Sequence, residues 1–248
     1  MIKHLVLDIE GTTCPVHFVS DVLFPYASNN LNAFIEDGNN HSNLRDLIDS
    51  AWEEWKNDKT DKSQQLLTGL SREEKNKRES ICTYLQHLIN IDRKSTVLKD
   101  LQGMIWAQGY EQGHLRSELY PEAAQCMKEW VNMGLLLSTY SSGSIQAQKL
   151  LYGHTKNGNL CTLFWSWFDT HTGSKKEVSS YELIAKALNS QPESIVFISD
   201  SHLECDAARQ AGMLTLFSQR EGNPDQDSAG HTAIQSLNHV IDALPPQK

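Results

Sequence analysis

The stretch Lys3-His4-Leu5-Val6-Leu7-Asp8-Ile9-Glu10-Gly11-Thr12 is a short apolar run that closes on acids and a glycine. Lys3–Ile9 reads as a strand buried on both faces, because the apolar residues are contiguous rather than alternating. Gly11, Thr12 and Thr13 then read as a turn. Downstream, Leu135–Tyr140, Phe164–Phe168, Ile195–Ser199 and Leu214–Phe217 are further short apolar runs, the last of them closing the series of predicted strands. Helix-spaced segments lie between them at Glu122–Met133, Ile145–Leu151, Lys176–Leu188 and Asp206–Ala211. Strands alternating with helices predict an α/β fold with a parallel sheet between helical layers.

Between the first strand and Leu135 the pattern is mostly helical. Leu44–Lys56 and Ser71–Ile91 carry helix-spaced apolar residues, and Ser71 with Glu74 suits a capping box. The block spans about one hundred residues, far more than a strand crossover needs. It predicts an inserted helical cap over residues 18–114, with residues 1–17 and 115–248 forming the α/β core. Gly222–Gly230 reads as a loop, and Pro245-Pro246 as the end of the ordered fold.

Asp8, Ser141 and Asp200 all fall at or just beyond the C-terminal ends of predicted strands, the edge where open parallel sheets bind ligands. Asp8 and Glu10 are two apart and suit a division of labour, one carboxylate attacking phosphorus and the other moving protons. An isolated Asp-x-Glu reads more readily as a solvated polar turn, and the strand end before this one with the glycine after it reverses that reading. Ser141-Ser142-Gly143 enters a helix, where hydroxyls and backbone N–H groups can cradle a phosphate. Lys175 lies in a Gly-Ser turn before a helix and could offset phosphate charge, with Lys176 as its competitor. Asp8 and Asp200 together would hold a hard, oxygen-seeking cation such as Mg²⁺.

The formal net charge of −9 gives no electrostatic help toward nucleic acid or an anionic membrane. An anionic substrate must then rely on local cations. Cys14, Cys82, Cys126, Cys161 and Cys205 are scattered without a Cys-x-x-Cys pair, so neither a disulfide framework nor a zinc site is expected. Cys14 and Cys205 read as small buried side chains. No histidine shows metal-ligand spacing. The first residues meet an acid too early for a signal peptide, and no apolar run is long enough to span a bilayer. A cytoplasmic protein is expected.

The order of strand-end Asp8, strand-end Ser141, Lys175 and strand-end Asp200 resembles the haloacid dehalogenase superfamily. Most of its members have Asp where Glu10 stands. Asp8-Ile9-Glu10-Gly11-Thr12-Thr13, Phe18–Ala27, Leu101–Gly113, Tyr140–Leu151 and Phe168–Tyr181 resemble, more narrowly, the enolase-phosphatases of methionine salvage. The likeness runs from Leu5 to about His231. It implies a Rossmannoid three-layer core with a helical cap and one Mg²⁺ per chain. It implies Asp8 as nucleophile, Glu10 as acid/base, and Asp8, Glu10 and Asp200 at the metal. Ser141 and Ser142 would bind substrate and Lys175 its phosphate.

The implied substrate is a small phosphorylated diketone, enolised and then dephosphorylated by a monomeric enzyme. Phe18, Phe24 and Trp106 are candidates to contact its apolar tail. Cys14, His171-Thr172, Ser174 and Ser201-His202 depart from the family's usual residues and bear on substrate preference. Two rival readings are a plain phosphomonoesterase or phosphomutase on the same core, and a catalytically idle binding protein. The full set of candidate groups speaks against idleness.

Overall fold

The computed structural model describes residues 1–37, 43–69, 77–91, 93 and 95–245. The capping box at Ser71 and Glu74, and Pro246, lie outside the described residues. In chain order, β1 (His4–Leu7) leads through a π-helical turn at Phe18–Leu23 into α1 (Phe24–Asp37), α2 (Leu44–Asn57), α3 (Asp61–Thr68), α4 (Lys77–Asn90) and α5 (Thr96–Glu111). Then follow α6 (Ala123–Asn132), β2 (Leu136–Tyr140), α7 (Ile145–Gly153), β3 (Phe164–Phe168), α8 (Val178–Ala187), β4 (Ile195–Ser199), α9 (His202–Gln210), β5 (Leu214–Ser218), β6 (Thr232–Ile234) and α10 (Val240–Ala243).

The chain divides into two compact units, Met1–Ser20 with Arg116–Lys248, and Asp21–Leu115. In the first, all six strands pair in parallel in the order β3-β2-β1-β4-β5-β6. Val6, Tyr140, Phe197 and Phe217 point to one face, where they pack with Tyr181 and Ile184 of α8 and with Cys205 and Ala208 of α9. Leu5, Leu7, Leu137, Val196 and Ile198, of opposite parity, are also fully buried, so the sheet is covered on both sides. This is the α/β architecture the strand–helix alternation predicts.

Register decides what the sheet presents at its C-terminal edge. Leu7 pairs with Thr139 and Ile198, Tyr140 with Phe168, and Ser199 with Phe217. The next residues, Ser141, Asp169, Asp200 and Ser218, therefore stand at one level, and Asp8, level with Tyr140 and Ser199, comes one residue before them. The strand order reverses between β1 and β4, the switch point at which doubly wound sheets form their crevice.

Two expectations are corrected. Helix α9 starts at His202 rather than Asp206, with Ser201 ahead of it and Glu204 in its first turn. The strand β6 follows β5, which the sequence reads as the last; only one of its three residues is buried, so it carries no apolar signal.

The second unit is helical. Trp55 stacks on Tyr84 with ring centroids 4.9 Å apart, and Trp52 meets Trp55 edge-on. Trp106 donates its indole N–H to the Leu23 carbonyl at 2.7 Å and lies 5.9 Å from the half-exposed Phe24 ring. Helices α1 and α5 touch at Gly109, where a Cβ would come 2.6 Å from the Tyr26 ring.

Candidate active site

Asp8 continues the β1 ladder through its N–H to the Ile198 carbonyl at 2.9 Å, which fixes its backbone before the chain turns. The Ile9 carbonyl then accepts from the N–H groups of Thr12, Thr13 and Cys14 and winds residues 9–14 into a tight loop. At its apex Gly11 has φ +67°, and a Cβ there would lie 2.1 Å from Asp200 Oδ2. Only glycine lets the loop pass so close to that carboxylate.

The Asp8 side chain is buried. Its Oδ1 accepts from the Ile9 N–H at 2.8 Å and from Lys175 Nζ at 2.6 Å. Its Oδ2 lies 3.2 Å from Ser199 Oγ, which is closer, at 2.8 Å, to Glu204 Oε2. A hydroxyl has a single proton, so Ser199 serves one carboxylate at a time.

Lys175 bridges Asp8 and Glu204, its Nζ 2.7 Å from Glu204 Oε2. Its backbone is set by Tyr181, whose hydroxyl donates to the Lys175 carbonyl at 2.6 Å, and by Tyr140, which donates to the Gly173 carbonyl at 3.0 Å. Burial alone would depress the Lys175 ammonium, but Asp8 and Glu204 outweigh it and hold the group well above the ordinary lysine value. Lys176 is exposed to solvent. The turn therefore delivers one lysine to the acids and the other to water.

Glu10 keeps an exposed surface while protein atoms crowd its carboxyl. Desolvation first, then the charges of Asp8 and Glu204, push its pKa up to about 7 against the pull of Lys175. Asp200, at the end of β4, is raised to about 8 by burial first and then by Asp8, Glu204 and Glu10, again opposed by Lys175. Glu204 is raised by burial and by Asp8, against Lys175 and the Ser199 hydroxyl. Four carboxyls thus share a single ammonium, a surplus of negative charge that a divalent cation would neutralise.

The donors at this cluster are oxygens: the carboxyls of Asp8 and Asp200, and the carboxamide of Asn223 beside Gly11. Among the described residues no three His, Cys, Asp or Glu side chains converge as a ready ligand set. Mg²⁺ is commonly held by one or two carboxylates and completes its shell with water and phosphate, so Asp8 and Asp200 would be enough to hold it.

Ser141 is buried one strand away, its Oγ accepting the Gly143 N–H at 3.1 Å. Ser142 follows on the exposed side of the turn. Ser144 caps α7 by accepting the Ala147 N–H at 3.2 Å, and Asp169 Oδ2 accepts the Ile145 N–H at 3.3 Å. The structure thus brings Asp8, Glu10, Lys175 and Asp200 into one electrostatic cluster and sets Ser141 and Ser142 on the same sheet edge.

Sequence reasoning missed three groups. Asp169 satisfies the same acid-after-a-strand rule that singles out Asp8 and Asp200. Glu204 sits four residues after Asp200, a spacing that one helical turn brings back to the same side. Asn223 lies in a stretch read as a connecting loop. Cys14 and Cys205 are fully buried, and burial raises both thiols, so they are inert packing groups.

Residues 2–212 match the haloacid dehalogenase-like hydrolase family. A protein named enolase-phosphatase E1 from Prochlorococcus marinus (strain MIT 9313) is 52% identical over 98% of this chain and 100% of its own length. Another of that name, from Synechococcus sp. (strain CC9605), is 54% identical over 96% of each. Among solved structures, the UTR4 protein of Saccharomyces cerevisiae superposes with a TM-score of 0.74 at 28% identity, covering 95% of this chain and 98% of that one.

Proposed function

We infer, from a chain that belongs to the enolase-phosphatase E1 family of the haloacid dehalogenase-like hydrolases, that the protein is an acireductone synthase of methionine salvage. It enolises 2,3-diketo-5-methylthiopentyl-1-phosphate and then removes the phosphate, giving 1,2-dihydroxy-3-keto-5-methylthiopentene. The observation that carries the chemistry is the state of Asp8. One carboxylate oxygen is pinned by Ile9 and Lys175, and the other keeps at most the shared hydroxyl of Ser199. That second oxygen is aimed by its fixed partner and retains lone pairs for attack.

Glu10 opens the reaction as base, taking the proton alpha to the substrate carbonyl. A group with a pKa of about 7 is present in both protonation states near neutrality and can act as base and as acid. The proton it gains is the one the second step requires. Asp8 then attacks phosphorus in line, the bond to the ester oxygen breaks, and Glu10 returns its proton to that oxygen. Glu10, again a carboxylate, deprotonates the water that cleaves the aspartyl-phosphate and restores Asp8, then passes that proton to the enolate oxygen, which completes the dihydroxy product and resets Glu10 as base.

Lys175, with Ser141 and Ser142, holds the phosphate oxygens. Asp8 and Asp200 would hold Mg²⁺, with Glu10 adding negative charge at the same centre; when bound, the ion neutralises the phosphate and polarises the carbonyl. Every group in this scheme comes from one chain, so a monomeric enzyme suffices for the reading. Five unpaired thiols suit a cytoplasmic location, and among the described residues no helix is long and apolar enough to cross a membrane.

The test is to supply the diketone phosphate and record enediol absorbance and inorganic phosphate together. Both should appear in equal amounts and only with Mg²⁺ present. Phosphate without enediol would replace this reading with a plain phosphatase.

A further inference from the structure

Asn223 lies beside the acid cluster and does not enter the scheme above. It is 6% exposed, and both protons of its carboxamide are used: Nδ2 donates to the Gly11 carbonyl at 2.9 Å and to the Ser218 carbonyl at 3.0 Å. Those acceptors fix the orientation, since a flipped amide would set its oxygen against two carbonyl oxygens. The remaining atom, Oδ1, is buried and accepts no hydrogen bond.

Its place is defined by Gly11. A Cβ on that glycine would lie 2.1 Å from Asp200 Oδ2 and 2.9 Å from Asn223 Oδ1, so both oxygens border the same space over the loop. Asn223 Oδ1 thus faces the acid side of the loop without a protein donor of its own. A buried oxygen without a donor costs about 1–3 kcal/mol. The loop nevertheless holds Asn223 firmly. Its N–H donates to the Arg220 carbonyl at 3.2 Å, and Gln226 donates to the carbonyls of Asn223 and Arg220, each at 2.9 Å. Asp225, two residues on, pairs with His202 Nδ1 at 2.5 Å.

We propose that Asn223 is a positioning residue of the cation site: its Oδ1 accepts a hydrogen bond from a water carried by the ion that Asp200 binds. A cation-bound water is a polarised donor, and a neutral amide oxygen can orient it without adding charge to a cluster already rich in carboxylates. The proposal rests on the cation being held by Asp8 and Asp200.

Isothermal titration of Mg²⁺ into the metal-free protein separates the two ideas without measuring turnover. Asn223→Ala should weaken Mg²⁺ binding about 10–100-fold, the usual cost of losing an outer hydrogen-bond partner. Gln226→Ala, which loosens the same loop without facing the ion, should lower the melting temperature and leave the Mg²⁺ dissociation constant unchanged. Parent-like affinity in Asn223→Ala would make the residue merely structural and overturn the proposal. A parent that binds no Mg²⁺, or an Asp200→Asn variant of full affinity, would instead overturn the site reading on which it rests. Should Asn223→Ala not fold, a crystal structure of the Mg²⁺-loaded parent decides. A water touching both the ion and Oδ1 supports the assignment, whereas a protein donor on Oδ1, or direct contact of Oδ1 with the ion, contradicts it.

Discussion

Lys175 is buried between two carboxylates, and its neighbour Lys176 faces solvent. Removing the first leaves Asp8 and Glu204 repelling each other and the phosphate without its nearest ammonium. Lys175→Ala should therefore cost about 10²–10³ in turnover, the scale of losing one well-placed electrostatic donor. Lys176→Ala should stay within about twofold of the parent, as surface changes usually do; steady-state phosphate release reads both. Glu10→Gln keeps shape and hydrogen bonding but cannot carry a proton. Each step that uses it should slow by about 10²–10⁴. In deuterated water, deuterium entry at the acidic carbon reports enolisation separately from phosphate release. Both should fall; exchange that persists while phosphate release collapses would move the enolisation base elsewhere. Asp8 and Asp200 are legible in the sequence because each closes an apolar strand, and Glu10 because it stands two residues from Asp8. Asn223 is not, because its meaning depends on Gly11 and Ser218, more than two hundred and five residues away respectively.

Among elements, the contiguous apolar strands β1, β2, β4 and β5 are legible because burial on both faces leaves no polar alternation. Helix α9 is harder to place. His202 and Glu204 look like loop residues, and the misplaced start hid Glu204 from the reading of the site. In the helical unit, Asp58 ends α2 with a side chain 1% exposed, its Oδ2 2.5 Å from Arg93 and 3.3 Å from the Tyr84 hydroxyl. Burial pushes this carboxyl up, and hydrogen bonds from Arg93 and Thr60 pull it further down, well below the ordinary carboxylate range. Because the folded pKa is depressed, the stabilisation is present above the unfolded value of 3.8 and is lost as pH falls through the folded one. Arg93→Ala should cost about 1–3 kcal/mol at neutral pH by leaving a buried carboxylate short of its partner. The loss should shrink in strong acid. Urea unfolding at pH 7 and at pH 2.5 checks both statements, and an equal loss at the two pH values would contradict the assignment.

Over the whole molecule, a net charge of −9 and a cluster of raised carboxyls describe a protein that gains by binding a cation. The sign follows from linkage. Glu10 and Asp200 hold their protons more tightly folded than unfolded, so the metal-free protein should lose stability as pH rises from their ordinary values of 4.5 and 3.8 through about 7 and 8. Each kcal/mol lost lowers the melting temperature by about 2–4 °C for a chain of this size. Added Mg²⁺ should restore it more at pH 8 than at pH 5, because it replaces the protons. Melting curves with and without the ion across this range test the prediction; a metal-free protein that grows more stable toward pH 8 would contradict it. The central claim, that Asp8 carries the phosphoryl group, is tested most directly by acid-quenching the enzyme during turnover of the diketone phosphate and locating covalent phosphate by mass spectrometry. The expected result is a phosphoryl group on the peptide containing Asp8, decaying to inorganic phosphate and absent from Asp8→Asn. Phosphate on another residue, or normal phosphate release by Asp8→Asn, would contradict the account.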